Sequence, residues 1–268
     1  MEGPRPARDP DAIDAARVLA GVLLLMALVS LAGSQFRSLP REALGAVQHL
    51  GFLAVPLVYA RFAGLRLFAS SGYSRLGRRS LGLVVLASLG SLWLLKAAAD
   101  FQTGIFAAAG RAKEHEQEVK AVRDAVEAVM SRGTLLAFPL MVLAPALSEE
   151  TLFRGILFRG LARSFGPWIS LLSTTVLFAA MHQSMVRFGL MVCLGLYLGA
   201  LVWLTRSLWA GVLAHAINNL TVVVLQGMYG DRLDHLRAPW WMLLLSGVVF
   251  ALALGLLWME HRRGEREM

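Results

Sequence analysis

Residues 134–158 read TLLAFPLMVLAPALSEETLFRGILF. This stretch holds only three charges, Glu149, Glu150 and Arg154, close together toward its C-terminal end. At about 1.5 Å of rise per residue, a helix of this length reaches roughly 37 Å, enough to cross a hydrocarbon core ~30 Å thick. A soluble helix would spread its charges along a solvent face, and here there is no such face. The stretch reads as a membrane span with ionisable groups inside it. Stranding such groups in hydrocarbon is costly, which marks them as functional candidates.

The rest of the chain agrees with that reading. Of its 268 residues, 57% are hydrophobic and 16% charged, against roughly 45–50% and about 25% in soluble domains. The mean hydropathy is +0.60. A water-soluble fold of this size could not hide so much apolar side chain. The predicted fold class is an all-α polytopic membrane bundle of about eight transmembrane helices. Spans are expected near Ile13–Gly33, Ala43–Ala60, Ser80–Ala99, Thr134–Phe158, Pro167–Met181, Phe188–Leu204, Leu208–Met228 and Trp240–Trp258. Residues 1–12 read as a disordered N-terminus, 13–258 as one transmembrane domain with a motif-bearing core at 134–228, and 259–268 as a polar tail. Lys96 falls near enough to a span end to snorkel.

The long 100–133 connection is patterned. Val119, Val122, Val126, Val129 and Met130 recur at helical spacing, with Glu116, Lys120, Arg123, Asp124 and Glu127 around the rest of the turn. This predicts an amphipathic helix, lying on the membrane surface or over a cavity mouth.

The net charge of +8 would raise nucleic acid as a partner of a soluble chain. Here the basic residues sit mostly in short connections, so they read as topology signals and lipid contacts, and no nucleic-acid partner is expected. With both termini inside, the inner segments hold 14 Arg and Lys and the outer ones 10, five of them in the long connection, which counts little. An N-in, C-in arrangement follows. The lone Cys193 excludes an internal disulfide and reads as core.

Two later spans also carry polar groups: Phe178-Ala179-Ala180-Met181-His182, and His215-Ala216-Ile217-Asn218-Asn219. Glu150 and Arg154, at i,i+4, share a helix face and can pair. Glu149 points about 100° away and has no partner near it in sequence, which suits a general base. His215 and Asn219, also at i,i+4, present two donors suited to a developing oxyanion. From the inner span ends, Glu149 and His215 lie at depths of about 14 and 13 Å, and His182 at about 22 Å. A lone histidine or Glu–Arg pair could be purely structural. The joint set on neighbouring spans points to a site.

Several protease signatures are absent: there is no H-E-x-x-H and no G-x-S-x-G. The trio Glu149-Glu150-x-x-x-Arg154, Phe178-x-x-x-His182 and His215-x-x-x-Asn219 instead resembles the three motifs of the CPBP intramembrane proteases. That family includes the CAAX prenyl endopeptidase and bacteriocin-processing and immunity proteins. The resemblance covers about Thr134–Gly227. It implies a membrane endopeptidase that cuts a membrane-anchored protein or peptide near the substrate's C-terminus, with Glu149 and His182 activating water. It further implies that His215 and Asn219 form the oxyanion hole and that Glu150, Arg154 and Phe178 give structural support.

No cofactor is favoured. Were zinc present, Glu149, His182 and His215 would supply three ligands with water as the fourth. Using His215 as a ligand would leave Asn219 alone at the oxyanion, which argues for a metal-independent mechanism. The wealth of Arg, Ala and Leu points to a high-GC bacterial genome and hence a bacterial inner membrane. Since bacteria generally lack protein prenylation, a CAAX substrate is not expected. The rival readings are a non-catalytic scaffold or immunity protein and a proton-coupled transporter, but a transporter should show internal repeats, and none is evident.

Overall fold

The structure is a computed structural model that describes residues 8–36, 41–65, 75–131, 133, 137–230, 232 and 236–266. The N-terminal expectation for residues 1–7 lies outside them. The described residues are helical throughout, apart from short connections and a single bridge between Arg8 and Leu65.

Helix α1 (Ala12–Gln35) begins on Asp11, whose carboxylate accepts from the Ile13 and Asp14 amides, while the Asp14 carboxylate accepts from the Asp11 amide. This reciprocal cap satisfies donors that the first helical turn leaves free. Asp14 is also held by Arg8 at 2.9 Å and by the Tyr59 hydroxyl at 2.7 Å, which ties α1 to α2 (Arg41–Ala63). Helix α3 (Arg78–Ala108) runs past the expected Ala99 end. Lys96 therefore pairs with Asp100 at 2.6 Å, one turn on, instead of depending on snorkelling alone. Helix α9 (Trp240–Arg266) crosses α3 at Gly90, where an added Cβ would meet the Phe250 amide nitrogen at 2.9 Å. Residues 259–266 continue this helix, where the sequence suggested a separate tail.

Seven stretches are long and apolar enough to cross a membrane, and one of them, Pro139–Met181, has 43 residues. At ~1.5 Å per residue that is roughly 65 Å, twice a hydrocarbon core. The stretch is not one rod. Gly166 has φ 77°, a backbone that glycine tolerates and other residues rarely adopt, and Pro167 follows with no N–H to donate. The rings of Phe153 and Phe178 lie 5.2 Å apart although 25 residues separate them. The chain therefore doubles back at Gly166, midway between them, and the stretch forms a helical hairpin. We divide this stretch into α5 (139–157) and α6 (Phe158–Met181); α7 (Phe188–Thr205) and α8 (Leu208–Tyr229) follow.

Leu152, Phe153, Ile156, Leu157, Phe178, Leu198 and Leu201 pack the centre at 1% exposure or less. Large apolar side chains such as Leu24, Trp168, Leu172, Leu244 and Leu252 point outward, as a lipid-facing surface requires.

The amphipathic segment is helix α4 (Ala112–Met130), with Val126 and Val129 buried. Of the two placements open from sequence, it takes the second. Val122 and Val126 line one cavity, and Ala121, Asp124, Ala125, Ala128 and Val129 line another. Glu118 accepts from the Ser184 hydroxyl and lies 3.5 Å from Arg187 Nε, joining α4 to the loop that follows His182.

Candidate active site

Glu149 and Glu150 end a short α-helical piece (Ala144–Glu150) between two π-helical turns, Pro139–Leu143 and Thr151–Leu157. Pro145 has no N–H for its own i→i−4 bond, and the turn before it is wide. Such widened turns recur at functional sites because they re-aim side chains within a helix.

Glu150 is fully buried and Arg154 is 1% exposed. Arg154 Nη1 donates to Glu150 Oε1 at 2.7 Å, and Nη2 donates to the Gly195 carbonyl at 2.8 Å. The guanidinium carbon lies 4.7 Å from the centre of the Phe178 ring, a cation–π contact. Phe178 thus packs over the buried cation.

Glu150 Oε1 has a second partner, His215 Nδ1 at 3.1 Å. An ionised carboxylate only accepts, so Nδ1 carries the hydrogen and Nε2 is left for other work. The pairing is possible because residue 211 is glycine. A Cβ there would come within 2.7 Å of both Glu150 Oε2 and Val202 Cγ2. Glu150 is therefore more than a counter-ion for Arg154: it also orients the α8 histidine. His182 is fixed in the same way, with Nδ1 donating to the Phe178 carbonyl at 2.8 Å and leaving its own Nε2 unspent. Asn218 donates to the Ala214 carbonyl of its own helix at 2.8 Å, whereas Asn219 lines the cavity.

Glu149, His182, His215 and Asn219 line one cavity of about 550 Å³, together with Phe153, Met181 and Met191. The depth mismatch of His182 vanishes here. Glu149 stands 17 residues before Gly166 and His182 16 after it, so the hairpin brings them level. The sequence estimate measured Glu149 from Phe158, but the helix runs on to the reversal at Gly166. Glu149 is 7% exposed, and among the described residues nothing hydrogen-bonds its buried Oε2. Its Oε1 lies 3.8 Å from Nδ1 of His49.

His49, on α2, is the site residue that sequence reasoning missed. It lies outside every motif, and its signal was only that of an ionisable side chain in an apolar span. Among the described residues, no three His, Cys, Asp or Glu side chains converge as metal ligands. Nδ1 of His182 and Nδ1 of His215 each face a protein acceptor, an arrangement that leaves Nε2 of each ring available to the cavity.

Residues 131–221 match the family model described as Rce1-like, type II CAAX prenyl endopeptidase. This segment belongs to the CPBP family. The match takes in the glutamates of α5, His182, His215 and Asn219. The match supports a CAAX-type peptide hydrolase at the level of the family for this segment alone, and the seven long apolar stretches make the chain an integral membrane protein. Helices α1 to α4, the C-terminal end of α8 and α9 lie outside the match. No curated protein and no solved structure matches the chain.

Proposed function

We propose that the protein is an intramembrane endopeptidase that hydrolyses a peptide bond in a membrane-associated protein or peptide, near its C-terminus, with water activated by Glu149 and His182. One observation carries this reading. A carboxylate that is 93% buried, with an oxygen no described residue engages, lines a cavity shared with two imidazoles and a side-chain amide. Its neighbour Glu150 has Arg154 to offset its charge. Glu149 has no arginine and is left for chemistry.

In this reading Glu149 Oε2 takes a proton from a water, also held by His182 Nε2, as its oxygen attacks the scissile carbonyl. The carbonyl oxygen gains charge and is met by Asn219 Nδ2–H and by Nε2–H of His215. Because His215 already gives Nδ1–H to Glu150, an N–H at Nε2 requires the imidazolium, and the Glu150 carboxylate offsets that charge. When the C–N bond breaks, Glu149 returns its proton to the departing amine. Part of the wall around the site is apolar, with Phe52, Phe153, Met181, Leu194 and Val222, which suits a lipid-anchored substrate. The mechanism uses no metal, and both termini lie on the cytoplasmic side of a bacterial cell membrane.

The test compares membrane-protein C-termini in cells carrying the wild type or Glu149→Gln. Fragments present with the wild type and absent with equally expressed Glu149→Gln are the expected result. Identical C-termini, or full cleavage by the variant, would overturn the proposal.

A further inference from the structure

His49 reaches the site from a helix that no motif marks. Its Nδ1 lies 3.2 Å from Ser148 Oγ and 3.8 Å from Glu149 Oε1. The Ser148 hydroxyl faces the Pro145 carbonyl at 3.4 Å, an oxygen that only accepts. Ser148 therefore donates to Pro145, and its remaining lone pairs accept from His49 Nδ1–H. One imidazole N–H is thus aimed at two successive residues of the SEE sequence. The ring stands edge-on to Phe52, with 6.3 Å between centroids, and Phe52 is itself 2% exposed, so the imidazole is held in place from behind. A histidine that only fills space would not turn its nitrogen toward a serine and a buried carboxylate.

The position matters as much as the contact. His49 and Met141 line both the 550 Å³ cavity and an adjoining apolar cavity of about 770 Å³ between α2, α4 and α5. His49 therefore borders both cavities, on the Oε1 side of Glu149. Among the described residues, no other cationic or potentially cationic side chain lies within ion-pair distance of Glu149. A buried carboxylate needs such a partner to remain charged at modest cost.

We propose that His49 is a positioning residue for Glu149: anchored on Ser148 through Nδ1, it holds the Oε1 edge of the carboxylate so that Oε2 is the oxygen presented to water. The inference rests on the reading of Glu149 as the base. It gives α2, outside the matched family segment, a defined part in the reaction. His49 moves no proton in this role; it fixes the rotamer and the local field of the group that does. Supporting residues of this kind typically change affinity or rate by about 10–100-fold when removed.

The test uses the full chain in lipid vesicles. The infrared carboxylate band of Glu149 is first identified as the band lost in Glu149→Gln. In His49→Ala that band should shift, and in His49→Asn, which restores an N–H near the Nδ1 position, it should return toward the wild-type frequency. On a quenched-fluorescent peptide anchored by one apolar helix, kcat should fall about 10–100-fold in His49→Ala with KM changed less than about two-fold, and recover in part in His49→Asn. An unmoved Glu149 band in a folded His49→Ala overturns the proposal, as does a wild-type kcat. Should His49→Ala fail to fold, the same two measurements on His49→Gln decide. Normal cleavage by Glu149→Gln would sink the base assignment itself. A shifted band with that result would separate the two failures.

Discussion

Replacing Glu150 with Gln tests the fully buried ion pair at the centre of the bundle. Glu150 and Arg154 are 0% and 1% exposed and 2.7 Å apart. At an effective dielectric of ~20, unit charges at that separation attract by about 6 kcal/mol. Part of this offsets the desolvation of both ions. Gln is nearly isosteric and keeps an acceptor for Arg154 and His215, so net hydrogen bonding worth about 1 kcal/mol per bond survives. What is lost is the charge, leaving Arg154 buried under Phe178 with only the Gly195 carbonyl and a neutral amide. Breaking a buried pair in this way costs about 3–5 kcal/mol, a large share of a typical total stability of ~5–15 kcal/mol. Glu149→Gln makes the internal control. Its nearest potentially cationic neighbour, His49, is 3.8 Å away, and a neutral amide bears no desolvation cost of a buried charge, so Glu149→Gln should cost less than Glu150→Gln. Unfolding of the purified variants in mild detergent, followed by tryptophan fluorescence and by folded yield, should separate the two glutamines clearly. Glu150→Gln combined with Arg154→Met should recover most of the loss, because an apolar side chain then replaces the stranded cation. Wild-type stability in Glu150→Gln, or an equal loss in Glu149→Gln, would refute the division of labour between the two carboxylates.

Gly160→Ala should loosen α1 from α6, since the new Cβ would lie 2.5 Å from the Asp11 carbonyl oxygen; a cost of about 1–3 kcal/mol is expected, and unchanged unfolding would mean that the contact yields freely. Gly211→Ala should lower activity more than stability, because it presses on Glu150 Oε2 and displaces the acceptor of His215; activity and unfolding measured side by side decide this. Reporter fusions at Met268 and within the Arg61–Arg79 segment should both report the cytoplasmic side, and an external signal at either place would mean a miscounted span. Cleavage should survive exhaustive treatment with a membrane-permeant chelator, whereas loss that returns with stoichiometric zinc would reassign His182 and His215 as ligands.

The membrane fold, the approximate spans and the amphipathic helix were all legible in the sequence. Each depends on patterns local to one segment: apolar length for the spans, and 3.6-residue spacing for α4 and for Glu150 with Arg154. The trio of motifs was legible for the same reason, as three short-range patterns in a fixed order. What crosses between helices was not. That Glu150 serves His215 as well as Arg154 depends on how close α8 comes at Gly211. That His182 stands level with Glu149 depends on the reversal within α6, and one glycine of positive φ, Gly166, sets that place. Whether α4 lies on lipid or over the cavity turned on its contacts, since an apolar stripe fits either surface. His49 shows the limit most clearly. Its neighbour Glu149 is 100 residues away in the chain, and no periodicity within α2 marks a residue whose partner lies on α5. Segmental physics follows from residue spacing, but pairing across a bundle is fixed only when packing sets the register of one helix against another.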